Sequence, residues 1–352
     1  MVDVVVVDDS QFMRVQITEI LEAGGHTVVG DASNGKAAID AVTECDPDVV
    51  TMDVKMPGMD GIDAVEAIMD EQPTPVLMLS RYTEEGAETT FDALDAGAVD
   101  FMMKPNGEVT TGLVEYADDL VELVDIVSRA DVSRSLATDA STVTPEPELA
   151  VAEWETPPTI VIAASTGGPT EIHSIIGSLP GSLGARILIV QHMPEQFTGR
   201  FANRLDELSE LSVREAQPGD TVEPNEVLVA RGGNHLEVDG ERGRGLQVTL
   251  TDDPPVHSVR PAADVTLQSV ADTVSGPLLS VVLSGMGKDG ASGVEAIAAA
   301  GGHVVVQSPD SARISAMPDR AIETGVVDRT VPTEEIPETL FEVLDTATDQ
   351  NP

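Results

Sequence analysis

Lysine is almost missing: Lys36, Lys55, Lys104 and Lys288 are the only four in 352 residues. With 19 Lys+Arg against 62 Asp+Glu, the formal net charge is -43. So few cations give no basic face to neutralise phosphates, so no nucleic-acid partner is expected. Cys45 is the only cysteine, so no intrachain disulfide can form. Aromatics are 3% of the chain, which leaves Val, Ile, Leu, Ala and Met to build the cores. No apolar run approaches the roughly 20 residues that span a bilayer. The N-terminus, Met1-Val2-Asp3-Val4-Val5-Val6-Val7, reads as a buried strand and not as a signal peptide. A soluble, cytoplasmic protein without direct membrane insertion is expected.

Hydrophobic residues make up 41%, and glycine raises this to about half, the ordinary globular range. That argues against long intrinsic disorder. At about 150 residues per domain, the length suggests two domains. The acid excess is spread along the chain and forms no tail. Such self-repulsion destabilises a fold in dilute buffer, and molar salt, with a Debye length of about 3 Å, removes most of the cost. Adaptation to a salt-rich cytoplasm is the expected reading, and an acidic mesophilic protein is the alternative.

Residues 1–127 alternate strand and helix patterns. Val4 to Val7, Thr27 to Val29, Val49 to Met52, Val76 to Leu79 and Val99 to Met102 read as strands, each followed by a helical stretch. Uninterrupted apolar strands in βα repeats imply a parallel sheet covered on both faces. Residues 128–157, rich in Ser, Thr and Pro, read as a linker. Trp154 stands at its end. From 158 to 348 the alternation resumes, with strands at Ile160 to Ala163, Ile187 to Val190, Leu278 to Leu283 and Val304 to Val306. Residues 211–251 read as an antiparallel β insertion. The expected fold is α/β in two domains, a (βα)5 unit and a doubly wound unit.

Asp8 and Asp9 follow the first strand, and Asp53 follows the third. In a parallel α/β sheet these ends share one edge, where ligands bind. Three neighbouring carboxylates repel unless a divalent cation sits between them, and an oxygen-rich, partly open site suits Mg²⁺. Ser80 ends the fourth strand and Lys104 follows the fifth. A hydroxyl and an ammonium facing a carboxylate and a metal would stabilise a phosphoryl group there.

The segments Val7-Asp8-Asp9-Ser10, Met52-Asp53-Val54-Lys55-Met56-Pro57-Gly58-Met59-Asp60-Gly61 and Lys104-Pro105 resemble the response-regulator receiver domain. The resemblance implies that Asp53 accepts phosphoryl from a histidine kinase of the CheA type. It makes Asp8, Asp9 and the Lys55 carbonyl Mg²⁺ ligands beside Asp53. Ser80 and Phe101 become the switch residues, and Lys104 the phosphate contact.

In the second domain, Ala164-Ser165-Thr166-Gly167-Gly168-Pro169 runs from a strand into a helix and puts Ser165 at a sharp turn. Unpaired backbone N–H groups there suit an oxyanion. A base must come from the histidines. His173 lies eight residues on, about 12 Å along the same helix. His192 follows the next strand, on the same edge. His26, His235, His257 and His303 are placed less well. Asp289, in Ser284-Gly285-Met286-Gly287-Lys288-Asp289-Gly290, could orient the imidazole. The G-x-S-x-G elbow is absent. Gly285 to Gly290 also matches G-x-G-x-x-G, with Asp310 twenty residues on, so dinucleotide binding competes. Pattern alone leaves three readings open: a serine hydrolase, a dinucleotide site, and purely structural glycines.

The pair of domains in this order, with Val190-Gln191-His192-Met193-Pro194, Phe197-Thr198-Gly199-Arg200-Phe201-Ala202 and the two loops above, resembles the chemotaxis protein-glutamate methylesterases, the CheB family. The resemblance covers nearly the whole chain. It implies Ser165 as nucleophile, His192 as base and acid, Asp289 as orienting carboxylate, and Thr166 with Met286 shaping the oxyanion site. It further implies hydrolysis of glutamate γ-methyl esters on methyl-accepting chemotaxis receptors and deamidation of receptor glutamines. The hydrolysis needs no cofactor; Mg²⁺ serves the receiver.

Overall fold

The computed structural model describes residues 1–80, 84–104, 110–132, 154 and 156–349. The chain separates into two compact units, Met1–Pro145 and Glu146–Pro352. Most of the expected linker lies outside the described residues.

In the first unit the elements are β1 (Asp3–Val7), α1 (Gln11–Ala23), β2 (Thr27–Ala32), α2 (Gly35–Cys45), β3 (Val49–Asp53), α3 (Gly61–Glu71), β4 (Val76–Ser80), α4 (Glu84–Asp95), β5 (Asp100–Met103) and α5 (Thr110–Val127). The five strands are parallel in the order β2-β1-β3-β4-β5. Val4 to Val7 are fully buried because the sheet is covered on both faces: α1 packs with α5, and α2, α3 and α4 pack in succession. Ser10, Asn34 and Asp60 cap α1, α2 and α3 by accepting backbone N–H groups. The strand order reverses between β1 and β3, which opens a crevice beyond their carboxyl ends.

The second unit contains β6 (Thr159–Ala164), α6 (Gly168–Gly177), β7 (Arg186–Gln191), α7 (Glu195–Leu208), β8 (Ser212–Glu215), β9 (Thr221–Val222), β10 (Glu226–Val229), β11 (His235–Arg242), β12 (Gly245–Thr251), α8 (Ala263–Thr273), β13 (Leu278–Val282), α9 (Ala291–Ala299), β14 (His303–Gln307), α10 (Ala316–Glu323), β15 (Arg329–Val331) and α11 (Ile336–Asp349). Seven strands form one parallel sheet in the order β15-β14-β13-β6-β7-β10-β8. The antiparallel insertion is smaller than expected. Only β9, β11 and β12 form it, while β8 and β10 extend the main sheet. The short β10 run is buried against β7, so its side chains read as core on either assignment. The core joins both sheets through Leu188, Val190, Leu228, Leu236, Val248 and Leu267. From β6 the chain winds first toward β7 and β10, then crosses back to β13, β14 and β15. β6 is therefore the switch strand, and the crevice lies above β13, β6 and β7. Trp154 lies against Gly184, whose Cβ would stand 3.0 Å from the indole.

Candidate active site

Two clusters occupy the carboxyl edges of the two sheets. In the first unit, Lys104 is buried and bridges Asp8 (Nζ to Oδ2, 2.6 Å) and Asp53 (Nζ to Oδ1, 2.7 Å). Asp8 also accepts the Ser10 N–H at 2.8 Å. Asp9 is exposed beside them. Asp8, Asp9 and Asp53 each offer an oxygen within 4.8 Å of the others. Hard carboxylate oxygens around a half-open space are the donor set that Mg²⁺ takes. A Cβ on Gly61 would collide with the Asp53 carbonyl oxygen, so glycine lets α3 begin close against the strand end. Ser80 is buried and meets the Thr90 hydroxyl at 2.9 Å. Phe101 packs edge-on against Phe91, with centroids 6.2 Å apart. Tyr116, buried on α5, has its hydroxyl pKa pushed above the usual range by burial and by the charges of Asp8 and Asp53.

In the second unit, three neighbouring strands deliver three side chains. Ala164 pairs with Gln191 across β6 and β7, so Ser165 and His192 leave adjacent strand ends. The His192 N–H donates to the Ala164 carbonyl at 3.0 Å. The His192 ring meets Asp289 through Nε2, 2.7 Å from Oδ2. That leaves Nδ1 as the ring nitrogen available to a nucleophile. Among the described residues Ser165 Oγ makes no hydrogen bond, and neither do the N–H groups of Thr166 and Met286.

Asp289 is 2% exposed and fully engaged. Its Oδ2 accepts the Ala263 N–H at 2.6 Å, and its Oδ1 accepts those of Asp264 and Gly290 at 3.0 and 3.1 Å. Burial pushes its pKa up, but the His192 hydrogen bond and charge, with the amides of Asp264 and Ala263, pull it further down. The net result lies below the ordinary carboxylate range, so Asp289 stays ionised.

Ser284 ties the Ser165 turn together. Its carbonyl accepts the Ser165 N–H at 3.0 Å and its hydroxyl donates to the Thr166 carbonyl at 2.8 Å. Gln307 holds Ser284 in turn, accepting its N–H at 2.6 Å. Gln191 donates to the Ser165 carbonyl at 2.9 Å. These supports were not foreseen, although Ser284, Gln191 and Gln307 all stand in the quoted motifs or at a strand end. Behind them Glu171 is half-buried, and the desolvation raises its pKa despite hydrogen bonds from Thr333 and Gln307 and the charge of Arg313.

The remaining histidines have other positions. His173 lies on α6. His26 is buried in the first unit, and His303 stands 3.5 Å from Asp328. His235 is buried, accepting the Ala262 N–H at Nδ1 and reaching the Pro254 carbonyl through Nε2. His257 meets Asp264.

The dinucleotide reading of Gly285 to Gly290 fails on the same geometry. Asp289 is buried inside the loop, with Oδ1 on the Gly290 N–H just before α9, so its carboxylate stands where a pyrophosphate would have to bind. Gly285 serves close packing: a Cβ there would meet Met317 Sδ, and would lie 2.8 Å from Ser165 Cβ and 2.9 Å from its backbone nitrogen. Met317 can yield, but the Ser165 backbone cannot. Gly285→Ala is therefore expected to destabilise the fold by about 1–3 kcal/mol and to lower the activity. Thermal unfolding and turnover measured together check this.

Three strand ends, a buried carboxylate and a histidine beside a serine turn are now joined to an acidic receiver-like pocket on one chain. The CheB methylesterase family model matches residues 160–340. This chain belongs to the CheB methylesterase family. The response regulator receiver domain model matches residues 4–111. The protein-glutamate methylesterase/protein-glutamine glutaminase of Natronomonas pharaonis is 53% identical over 344 residues, covering 97% of each chain. That of Halobacterium salinarum is 47% identical, covering 98% of this chain and 99% of the other. The crystal structure of the Thermotoga maritima CheB methylesterase catalytic domain covers 53% of this chain and 98% of its own, with 38% identity and a TM-score of 0.51. No helix among the described residues of this CheB chain is long and apolar enough to cross a membrane.

Proposed function

We propose that this chain is a cytoplasmic esterase of chemotaxis adaptation. It hydrolyses glutamate γ-methyl esters on methyl-accepting receptors and deamidates receptor glutamines, under control of phosphorylation at Asp53. The observation that carries the reading is the His192–Asp289 pair at 2.7 Å, one strand from Ser165.

Ser165 Oγ attacks the ester carbonyl carbon while His192 Nδ1 takes its proton. Asp289 accepts the hydrogen bond from Nε2 and stabilises the imidazolium that forms. The Thr166 and Met286 N–H groups receive the oxyanion. Collapse expels methoxide, which takes the proton from His192 and leaves as methanol. Water, deprotonated by His192, then attacks the acyl-enzyme; the bond to Ser165 Oγ breaks, Oγ takes the proton back from His192, and the receptor's glutamate side chain is freed. A glutamine substrate follows the same route with ammonia as leaving group.

In the receiver, the carboxylates of Asp8, Asp9 and Asp53 and the Lys55 carbonyl would hold Mg²⁺. When bound, it supplies positive charge beside Asp53. Lys104 contacts the phosphoryl oxygens, and Ser80 and Phe101 respond to phosphorylation donated by a CheA-type histidine kinase. The unphosphorylated receiver restrains the esterase, and phosphorylation shifts the population to the active form.

Methanol release from methylated receptor tests both parts. The full-length chain should turn over about tenfold faster with a small phosphodonor and Mg²⁺ than without. Asp53→Ala should stay at the slow rate in either condition. Equal rates in all samples would remove receiver control. Absence of methanol release in any sample would remove the esterase.

A further inference from the structure

The amides that hold Asp289 belong to α8, and the residue that sets α8 against the Asp289 loop is Asp264. Its own N–H donates to Asp289 Oδ1 at 3.0 Å. Its carboxylate crosses to α9, where Oδ1 accepts the Gly293 N–H at 2.7 Å. Asp289 is four residues before Gly293 on the same segment. The chain from Asp289 to Gly293, the Gly293–Asp264 bond and the Asp264–Asp289 bond therefore close a ring. A shift of α8 along α9 would break one of these bonds. The helices approach closely here, since a Cβ on Gly293 would stand 2.5 Å from Leu267 Cβ and Cδ1.

The second oxygen of Asp264 meets His257 Nε2 at 2.9 Å. Both oxygens are thus engaged, and the carboxylate has one orientation. The Asp264 side chain is 11% exposed, while His257 stands at the surface and closes over it. His257 and Ser258 have φ of 52° and 66°, a left-handed conformation rarely adopted by residues with a Cβ. Two successive outliers beside a triad indicate a loop held in place by its surroundings. His235 anchors the same loop through Pro254 and Ala262.

His257, Asp264 and Asp289 also lie close enough for a metal. Each Asp289 oxygen already accepts two hydrogen bonds, from His192 and Ala263 or from Asp264 and Gly290. A cation would have to displace His192 or the helix amides, so the cluster is read as a brace.

We propose that Asp264, oriented by His257, is a positioning residue for the esterase: it sets Asp289, and through it the His192 imidazole, against Ser165. This rests on the hydrolase reading above. The Asp264 carboxylate bonds His257 and Gly293 and not Ser165 or His192, so its loss should lower kcat and leave KM unchanged.

The test uses the full-length chain in molar KCl with phosphodonor and Mg²⁺, following methanol release from a methylated receptor cytoplasmic fragment. Asp264→Ala should lower kcat about a hundredfold, the scale of a misplaced catalytic group, with KM within about twofold. Asp264→Asn keeps an acceptor for Gly293 and should recover kcat to within about tenfold of wild type. His257→Ala should lower kcat by about tenfold, and His257→Asn, which retains a donor, should recover part of it. Wild-type kcat in Asp264→Ala overturns the proposal, as does a raised KM at unchanged kcat. Equal loss in Asp264→Ala and Asp264→Asn also overturns it. If Asp264→Ala does not fold, wild-type kcat in His257→Ala and Asp264→Asn is sufficient to overturn it. Ser165→Ala in the same assay separates the two levels: wild-type activity there removes the Ser165–His192–Asp289 reading on which the brace rests, and its loss leaves only the brace at stake.

Discussion

Ser165→Ala should reduce methanol release by about 10⁴-fold or more, because it removes the oxygen that forms the acyl-enzyme. His192→Ala should cost a similar factor. The double variant should be no worse than either single one, since the two side chains act as a unit. Asp289→Asn tests the tautomer. Asp289 accepts from His192 Nε2, which leaves the Nδ1 lone pair for the serine proton. An asparagine can present its amide N–H to Nε2 instead, placing the ring proton on Nδ1, where it blocks the base. The expected loss is about 10³- to 10⁴-fold in kcat with the fold retained. Residual turnover near wild type in Ser165→Ala would remove the assignment of nucleophile. Phosphorylation at Asp53 should proceed normally in all these variants.

The second large effect is on stability. With a net charge of -43, the fold should gain about 3–5 kcal/mol between 0.2 and 2 M KCl, a rise of about 10 °C in unfolding midpoint. The groove between α1 and α5 shows the local cause. It encloses about 680 Å³, with Ile17, Ile20 and Val121 in its wall and Glu19, Asp118, Glu122 and Asp125 also lining it. Like charges around an apolar groove repel at low salt and are screened when the Debye length falls to about 3 Å. A midpoint that stays flat across a KCl series from 0.1 M upward would remove the salt-adaptation reading. The high similarity to proteins of Natronomonas pharaonis and Halobacterium salinarum agrees with it.

Legibility followed the physics of each element. β1 and β6 hold continuous apolar runs, β3 and β13 are broken only by Thr51 and Ser280, and strands buried on both faces look like that in any context. The residues at their carboxyl ends, Asp8, Asp53, Ser165 and Asp289, could therefore be placed on two sheet edges before any coordinates. β8 and β10 were harder. At four residues each they carry no period, and whether they pair parallel to β7 or within a hairpin is settled only by packing. α10, β15 and α11 were not read, because their apolar positions are sparse and make sense only against β14 and the turn at Thr333–Glu335.

The sequence by itself determined the edge residues, the parallel α/β class and the salt-tolerant surface, because periodicity, turn glycines and charge count are local or additive properties. Only the tertiary structure decided which imidazole nitrogen meets Asp289, that Asp289 sits against the first amides of α8, and that Ser284, Gln307 and Asp264 hold the site. Each of those depends on hydrogen bonds between residues far apart in the chain. Ser165 and Ser284, or Asp264 and Gly293, meet because sheet order and helix packing bring them together, and no spacing in the sequence records that. His257 is a related case: as one of six histidines it had no pattern to distinguish it, and it matters only because Asp264, seven residues on, crosses from α8 to Gly293 of α9 beside the triad.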